Sequence, residues 1–325
     1  MKTPIFWSQK KSIISLLLMP LSYLWLLASF LNKKKETKFN IPIIKVGNVV
    51  AGGAGKTPTV ISLTKKLINS KINVHIILRG YKSSAKNSIQ VNRDLHSFKE
   101  VGDEALICAA FAPTWVGKSR SESINNAINN GADLVILDDG LQDESIPSNL
   151  NIIVFNGYQG IGNGRIIPSG PMRESMTKAI KKSHLALIID EDKNNIAKLI
   201  GNTIPIINSN LIIEDEYINS FRNKNVLAFC GIGYPDKFYK SLEEIGCNIL
   251  YSKSFPDHYE YSDKDIKKLL KKSQDLDSLL ITTEKDHVKI MENYKSRIYY
   301  FPIKIELNNY EILDNLLLSI LENKS

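Results

Sequence analysis

Cysteine is scarce in this chain, and the cysteines that occur follow no recognisable pattern. Among 325 residues there are three, Cys108, Cys230 and Cys247, and no two of them form a CxxC pair. Scattered cysteines in odd number argue against a disulfide framework and against a structural zinc site. The sequence therefore favours a reducing compartment, and its length is sufficient for two domains with sizeable hydrophobic cores.

Acidic residues are also in deficit. The chain has 34 aspartates and glutamates against 42 lysines and arginines, which gives a formal net charge of +8. A basic balance of this size suits nucleic acid, an anionic membrane face or a phosphorylated substrate about equally. Charge alone does not choose among these partners, so the motifs must decide.

One stretch lacks charge altogether. Residues 13–31 are uncharged and almost wholly apolar, and lysines flank them on both sides. About 19 such residues just reach across a hydrocarbon core. A cleaved signal peptide and a buried core helix are the alternatives, but no small-residue cleavage site follows and no polar face marks a core helix. We therefore predict an uncleaved anchor helix in residues 1–35, with the globular part on the cytoplasmic side. Pro20 leaves open a helix that enters only one leaflet.

A glycine-rich segment follows the first predicted strand, Ile43 to Val46, and precedes a helical pattern. Its sequence, from Val50 to Thr57, is VAGGAGKT. Glycines in such a turn direct backbone N–H groups at an anion, and the dipole of the following helix adds positive charge. The lysine then reaches the β and γ phosphates, and the threonine hydroxyl contacts Mg²⁺. The predicted nucleotide-binding residues of the loop are Val50, Ala51, Gly52, Gly53, Ala54, Gly55, Lys56 and Thr57.

Two residues of related phosphate loops are missing here. Val50 stands where the GxxxxGKT pattern has glycine, and Ala51 stands where partitioning ATPases have lysine. The Gly-Lys-Thr ending after a strand is still a specific signal for a phosphate cradle. A glycine-rich turn that binds nothing is the alternative.

Two carboxylates, Asp138 and Asp139, end an apolar strand that begins at Leu134. In a parallel sheet whose phosphate loop follows one strand, a carboxylate at the same edge of a nearby strand can hold Mg²⁺ directly or through water. Adjacent residues of an extended strand face opposite sides, so we expect one aspartate to face the metal. A polar strand end in a turn with Gly140 is the alternative.

Other polar motifs allow two interpretations each. Arg165 and Arg173 lie in a long glycine-rich loop and could bind phosphate in bidentate fashion or be solvated. Asp103 begins a helix and could simply cap it. His258 lies in a loop among aromatic residues, where an ordinary surface histidine is common. Thr283, the second residue of a TTEKD motif, has with Asp286 the spacing of a helix cap, so this motif could simply cap a helix.

Strand and helix patterns alternate along both halves of the chain, which predicts an α/β fold with parallel sheets covered on two faces. We place a P-loop NTPase-like sheet domain at residues 36–200, after the anchor helix, and a linker at residues 201–220. A smaller C-terminal α/β domain follows at residues 221–325. Its last predicted strand runs from Tyr299 to Ile305.

Taken together and in this order, the motifs resemble those of the tetraacyldisaccharide 4'-kinases of lipid A biosynthesis, membrane-anchored phosphate-loop enzymes of Gram-negative bacteria. The motifs are VGNVVAGGAGKTP from Val46, LRGY ending at Tyr81, GDE from Gly102, DDGLQ from Asp138, GNGRIIPSGPMRE from Gly162, FPDHY from Phe255 and TTEKD from Thr282. The chain departs from the family pattern at four positions. Asp143 and Tyr259 stand where the family more often has histidine, and Ala105 and Ser175 stand where it more often has proline.

The resemblance implies transfer of the γ-phosphate of ATP to the 4'-hydroxyl of a tetraacylated glucosamine disaccharide 1-phosphate, which gives lipid IVA. It implies ATP and Mg²⁺ as cofactors, the inner membrane surface as a partner and no nucleic acid. An acylated acceptor lies in the membrane, and acceptor, leaflet and nucleotide are all anionic, which gives the basic charge a use.

The resemblance also assigns roles to residues. It implies proton transfer by Asp103 with His258, and phosphate binding by Lys56. Outside the loop, the implied nucleotide contact is Arg173. The implied Mg²⁺ ligands are Thr57, Asp138, Asp139 and Glu174. Further candidates for phosphate contacts are Arg120 and Arg165.

Two other classes of protein are alternatives. A membrane-tethered partitioning or insertion ATPase would hydrolyse ATP as a switch without a small-molecule acceptor, but Ala51 and the GNGR and DHY motifs argue against it. A non-enzymatic, basic membrane-surface binding protein would need no carboxylates at strand ends.

Overall fold

The fold is that of a computed structural model, which describes residues 4–31, 35–80, 87–213 and 215–322. Tyr81, at the end of the LRGY motif, and two lysines after the predicted anchor, Lys33 and Lys34, lie outside the described residues. Within these ranges the chain forms two β-sheets with helices packed against them.

The larger sheet holds nine strands within the described ranges. They are β1 (Ile43–Gly47), β2 (Val74–Arg79), β3 (Ile89–Gln90), β4 (Thr114–Gly117), β5 (Leu134–Asp138), β6 (Leu150–Asn156), β7 (Leu185–Ile189), β8 (Ile206–Ile213) and β13 (Ile303–Leu307). Their order is β13-β8-β7-β6-β1-β5-β2-β4-β3. Pairing is parallel except at the two edges, where β3 and β13 run antiparallel to their neighbours. The predicted α/β class with a large, mostly parallel sheet is confirmed.

The smaller sheet is parallel throughout its described strands. These are β9 (Asn225–Cys230), β10 (Asn248–Ser254), β11 (Leu279–Thr283) and β12 (Tyr299–Phe301). Their order is β10-β9-β11-β12. Strand β9 is buried along five of its six residues, as expected for a central strand covered on both faces.

Helices connect most of these strands, after a short 3₁₀ turn at Ile5–Trp7. They are α1 (Ile13–Leu17), α2 (Met19–Leu31), α3 (Lys56–Asn69), α4 (Phe98–Val101), α5 (Asp103–Cys108), α6 (Arg120–Asn129), α7 (Met176–Lys181), α8 (Ile196–Ile200), α9 (Asp215–Phe221), α10 (Pro235–Glu244), α11 (Asp263–Asp275), α12 (Glu284–His287), α13 (Glu292–Lys295) and α14 (Glu311–Glu322).

The N-terminal apolar stretch differs from its prediction. It forms two helices, α1 and α2, which meet at Leu18. Pro20 lies in the first turn of α2 and has no N–H to continue the hydrogen-bond ladder of α1, which accounts for the break. No helix among the described residues combines the length and the apolar character needed to cross a bilayer. A membrane-spanning helix is therefore not confirmed.

Two strands lie in the larger sheet although their positions fall outside residues 36–200. Strand β8 occupies part of the predicted linker, and β13 returns from the predicted C-terminal domain to pair with β8. The single last strand predicted from Tyr299 to Ile305 is wrong, because Pro302 separates β12 in the smaller sheet from β13 in the larger one. Sheet membership thus departs from chain order here, and the division into domains stays a proposal.

The sheet topology brings two predicted site segments together. Strands β1 and β5 are parallel neighbours, with Val46 opposite Asp138. Both strands are buried at every residue. Since parallel strands end at the same edge, the glycine-rich loop after β1 and the aspartates at the end of β5 share one edge of the sheet.

Candidate active site

The glycine-rich loop connects β1 to the first turn of α3, as predicted. Helix α3 begins at Lys56, and its N-cap, Gly55, has a left-handed backbone with φ of 88°. A Cβ at Gly55 would overlap the side chain of Ile189 from β7. The left-handed conformation therefore favours glycine, any larger residue would also displace the end of the Ile189 side chain, and the turn leaves a helix N-terminus free to face an anion.

The start of the loop is held by the segment before α7. The Ala51 N–H donates to the carbonyl oxygen of Pro171 at 2.7 Å, and the Arg173 N–H donates to that of Val49 at 2.8 Å. The Val50 side chain is buried, at 2% exposure. Val50 therefore supports the loop through its backbone position, and its side chain points away from the cleft described below.

Lys56 and Thr57, the first residues of α3, contact acidic and amide groups at the sheet edge. The Lys56 ammonium lies 3.4 Å from Asn48 Oδ1 and 3.6 Å from Asp139 Oδ1. The Thr57 hydroxyl donates to Asp138 Oδ2 at 3.0 Å. The predicted lysine, threonine and both aspartates thus lie together.

Asp138 is an anion without a full set of partners. Its residue is 2% exposed, and Oδ1 is buried with no hydrogen-bond partner. Burial raises the pKa of this carboxyl to about 7; Glu104 adds to the rise, whereas Lys56 opposes it. A buried carboxylate oxygen with one neutral donor nearby is a position where a cation would be favourable.

Asp139 is in the opposite situation. Its two carboxylate oxygens each lie 2.8 Å from the Arg173 guanidinium, and Lys56 lies nearby. Burial alone would raise its pKa, but Lys56 and Arg173 outweigh burial and lower it. Asp139 has a positive φ of 53°, which turns it away from the strand direction of Asp138. The two adjacent aspartates thus have different protein partners, and which of them contacts a metal stays a prediction.

Arg120, a candidate phosphate contact, is occupied with the protein itself. Its guanidinium donates to the Asp143 carboxylate at 3.0 Å and to the carbonyl oxygen of Asp139 at 2.8 Å. It also lies 3.4 Å from the carbonyl oxygen of Asp138. Arg120 therefore supports the turn after β5, and Asp143 serves as its ionic partner.

Glu174, a predicted metal ligand, is also already paired. Both of its carboxylate oxygens accept from Lys182 at 2.7 Å, and Gln142 donates to one of them at 2.9 Å. Across residues 4–31, 35–80, 87–213 and 215–322, no group of three or more His, Cys, Asp or Glu is arranged to hold a metal ion. The described geometry does not bring Glu174 to the Thr57 and Asp138 pair through any contact.

Asp103 and His258, distant in sequence, form a close pair. His258 Nδ1 lies 3.0 Å from Asp103 Oδ2, and both side chains are largely buried. Burial by itself would raise the pKa of Asp103, but the hydrogen bond to His258 and the charge of Lys285 hold it at about 2. Asp103 is therefore an ionised hydrogen-bond acceptor at neutral pH.

Arg165 takes part in a different contact from the one that its motif suggested. Its guanidinium donates to the Ser15 hydroxyl of α1 at 2.8 Å. Ser15 in turn donates to the carbonyl oxygen of Ser169 at 2.5 Å, and Ser22 of α2 donates to that of Ile166 at 2.7 Å. The GNGRIIPSG loop therefore fastens the N-terminal helices to the larger sheet.

Most of these groups line one cleft of about 2600 Å³, and Asp103 lies next to it through its contact with His258. Lys56, Thr57, Asp138 and Asp139 line one part of it, and His258 lines another. Its wall continues to apolar residues of the N-terminal helices, including Trp25, Leu26 and Leu27. A polar region with a lysine and a helix N-terminus and an apolar rim thus belong to the same cavity.

The sequence and the fold match one family of known proteins. A family model for tetraacyldisaccharide-1-P 4'-kinase, LpxK, matches residues 14–322. The chain belongs to this family. The tetraacyldisaccharide 4'-kinase of Paramagnetospirillum magneticum is 37% identical over 94% of each chain. That of Rhodospirillum centenum is 33% identical over 100% of this chain and 98% of the other.

A solved structure of an LpxK supports the fold of this family member. The crystal structure of LpxK from Aquifex aeolicus in complex with ATP matches with a TM-score of 0.77 at 24% identity. The match covers 95% of this chain and 100% of that one. The structural match supports the fold, while the family model and the two relatives confirm the resemblance inferred from the motifs at the level of the family.

The geometry of this LpxK family member adds residues that motif reading missed. Lys285 lies 3.2 Å from His258 Nε2, and Lys182 neutralises Glu174. Gln142 bridges the Asn48 carbonyl oxygen and Glu174. The TTEKD and DDGLQ motifs contained Lys285 and Gln142, but only the folded chain shows what these side chains contact.

Proposed function

We propose that this protein transfers the γ-phosphate of ATP to the 4'-hydroxyl of a tetraacyldisaccharide 1-phosphate, forming lipid IVA in lipid A biosynthesis. The observation that carries the proposal is one cleft lined by the phosphate loop, by His258 with Asp103 as its partner, and by an apolar rim. Family membership supports the same activity and does not favour the partitioning-type ATPase.

The nucleotide end of the cleft is the phosphate loop. Backbone N–H groups from Gly52 to Thr57 and the start of α3 suit the phosphate tail of ATP. We assign Lys56 to the β and γ phosphates, because its ammonium lies at the loop beside the sheet edge. Arg173 is placed to reach a phosphate by exchanging its contact with Asp139.

The Thr57 and Asp138 pair fits Mg²⁺. Mg²⁺ binds proteins through one or two oxygen ligands and keeps waters and substrate phosphates as the others. The unpartnered Oδ1 of Asp138, next to the Thr57 hydroxyl, supplies this donor set. When bound there, Mg²⁺ would neutralise phosphate charge. We do not assign Glu174 as a direct ligand, since Lys182 and Gln142 already occupy its carboxylate.

The acceptor end is the Asp103 and His258 pair. Phosphoryl transfer passes through a loose transition state, so a catalytic carboxylate needs mainly to position the hydroxyl and to accept its proton late. An ionised Asp103 can do this, and His258 orients its carboxylate through Nδ1. His258 lines the cleft directly, which supports assigning the pair to the acceptor sugar.

The N-terminal helices suit a membrane surface. Large apolar side chains of α1 and α2 are exposed, and those at least 46% exposed are Ile13, Ile14, Leu16, Leu17, Leu21, Tyr23, Leu24, Trp25, Leu27 and Leu31. Exposed apolar side chains in this number on two adjoining helices mark a membrane or protein contact. Helix α2 has 13 residues and is about 20 Å long, which suits insertion into one leaflet. We place it in the cytoplasmic leaflet of the inner membrane.

The direct test is a transfer assay. Detergent-solubilised protein would be incubated with γ-labelled ATP, Mg²⁺ and the tetraacyldisaccharide 1-phosphate, and label in the lipid fraction would be counted. We expect label to move into the lipid, and Lys56→Ala to reduce turnover by about 1000-fold or more. Lys66→Ala is the matched control, because Lys66 lies on α3 and pairs with Asp314. Release of free phosphate without lipid labelling would overturn the proposal.

A further inference from the structure

The TTEKD motif lies next to the histidine of the cleft but has no role in the reaction described above. Its residues end β11 and begin α12, whose N-cap is Thr283. The Thr283 Oγ1 accepts from the Asp286 N–H at 3.1 Å, so the capping role expected from the spacing exists. Capping uses only part of the motif, because the side chains of Lys285 and Asp286 make further contacts.

Asp286 is connected to the backbone of His258 through one glycine. Asp286 is fully buried, and its Oδ2 accepts from the Gly231 N–H at 2.8 Å. The carbonyl oxygen of Gly231 accepts from the His258 N–H at 3.1 Å. A Cβ on Gly231 would lie 3.1–3.2 Å from Pro256, Tyr261 and Asp286, so this residue is closely packed.

The backbone that Asp286 supports is under conformational strain. His258 has a φ of 56°, in the left-handed region that costs a non-glycine residue free energy. Such a conformation persists only where surrounding contacts hold it. Lys289 forms an ion pair with Asp286 Oδ1 at 2.6 Å, and both side chains are buried. The anchor for the His258 loop is therefore a buried, charge-compensated group.

Lys285 contacts the imidazole of the same histidine. Its Nζ lies 3.2 Å from His258 Nε2, while Nδ1 lies 3.0 Å from Asp103 Oδ2. A lysine ammonium donates hydrogen bonds and cannot accept them. In a neutral imidazole Nε2 is then the acceptor of this contact, which assigns the ring proton to Nδ1, where it donates to the Asp103 carboxylate. Glu104, at 3.6 Å from Lys285, and Asp257, at 4.0 Å from Nε2, are the other charged groups here.

We propose that Lys285 and Asp286 are positioning residues for His258: Asp286 fixes its backbone, and Lys285 selects its Nδ1–H tautomer. This inference rests on the proposed kinase function. In the reaction, the acceptor O–H bond breaks and its proton passes to Asp103. The acceptor oxygen forms the new bond to phosphorus, and the bond to the ADP oxygen breaks. With the ring proton on Nδ1, His258 faces Asp103 as a donor and leaves its carboxylate ionised for that proton.

The experiment compares substitutions of Lys285. Lys285→Met removes the donor, and we expect kcat to fall on the order of 10- to 100-fold while the KM for ATP stays within about two-fold. Lys285→Arg keeps a donor-only cation, so it should recover most of the loss. Lys267→Met is the control, because Lys267 forms a surface ion pair with Asp263 in the same part of the chain. An equal loss for Met and Arg variants would overturn tautomer selection.

A spectroscopic measurement separates this inference from the kinase proposal. The ¹⁵N resonances of the His258 ring distinguish protonated from unprotonated nitrogens without any turnover. We expect Nδ1 to be protonated in the wild-type protein, and Lys285→Met to populate the Nε2–H tautomer. A wild-type ring protonated on Nε2 would contradict the inference even if lipid phosphorylation occurs. Failure of lipid phosphorylation with the expected tautomer would instead contradict the kinase proposal.

Asp286 is tested through the backbone that it holds. Asp286→Asn retains an oxygen acceptor for the Gly231 N–H, whereas Asp286→Leu removes it. We expect the asparagine variant to keep at least about one tenth of wild-type kcat and the leucine variant to lose more than about 100-fold. Thermal unfolding of both variants identifies global misfolding. A folded leucine variant with wild-type kcat would contradict the positioning role.

Discussion

Asp138 lines the cleft, and Asp103 contacts His258, which also lines it. Both are buried carboxylates, yet their surroundings move their pKa values in opposite directions. Burial raises the pKa of Asp138 to about 7, and its Oδ1 has no hydrogen-bond partner. Burial acts on Asp103 too, but His258 and Lys285 hold its pKa at about 2. The difference lies in where the cations are. Lys56 and Arg173 lie closer to Asp139 than to Asp138, whereas Lys285 and His258 lie beside Asp103.

The two surroundings indicate which partner each carboxylate would bind in the working enzyme. An incompletely partnered anion in a dry site costs stability until a cation arrives, which suits a Mg²⁺ ligand. An anion that already has donors is stable as it stands and is ready to receive a hydroxyl group. Functional sites often contain titratable groups whose environments separate their pKa values in this way.

The largest expected effect comes from changing the carboxylate at the acceptor end. Asp103→Asn removes the proton acceptor but keeps the shape of the side chain, so turnover should fall by roughly 100-fold or more. It should also destabilise the protein at pH 8 by about 2 kcal/mol, because a depressed pKa contributes stability above the unfolded value. Transfer assays and urea unfolding measure the two effects. Unchanged turnover would remove Asp103 from the mechanism.

The same substitution at the nucleotide end should have the opposite effect on stability. Asp138→Asn removes a buried charge and retains an oxygen that can accept from Thr57. In the absence of Mg²⁺ at pH 8, we expect the melting temperature to rise by roughly 3–6 °C while kinase activity is lost. Differential scanning calorimetry checks this. A lower melting temperature would mean that ionised Asp138 is well compensated in the folded protein.

A third buried titratable group, which does not line the cleft, shows the effect of burial without a nearby charged partner. His75 is 2% exposed, its Nδ1 accepts from Trp115 at 3.1 Å, and burial lowers its pKa. Below pH 6.5 the unfolded chain binds a proton that the folded chain resists, so stability falls as the pH falls. His75→Gln keeps an acceptor for Trp115 without this titration. Between pH 7.5 and 5.5, the free energy of unfolding of the wild type should fall relative to that of the variant, as measured by urea unfolding.

Local order along the chain was sufficient to predict the nucleotide edge. The sequence shows a strand followed by a glycine turn that ends in Lys56 and Thr57, and a second strand that ends at Asp138. Once these two strands pair in parallel, the three residues lie at the same edge of the sheet. Pro302 carried a readable signal as well, since proline cannot continue a ladder, but the change of sheet after it depends on tertiary pairing.

The remaining contacts join parts of the chain that no local pattern relates. Arg165 meets Ser15 across 150 positions, and His258 meets Asp103 across 155. Only the resemblance to a family suggested the second pair. The prediction of Glu174 as a metal ligand did not take Lys182 into account, because nothing in the sequence shows which lysine lies beside Glu174. The pairing follows from the position of Lys182 at the end of α7.

The central claim, that Asp138 serves the metal–nucleotide complex and Asp103 serves the acceptor, is tested most directly by calorimetric titration with ATP. Wild type, Asp138→Asn and Asp103→Asn would each be titrated with and without Mg²⁺, in the absence of acceptor lipid. We expect Asp138→Asn to abolish the Mg²⁺-dependent gain in ATP affinity and Asp103→Asn to retain it within about two-fold. Equal loss in both variants, or a full Mg²⁺ effect in Asp138→Asn, would contradict the claim.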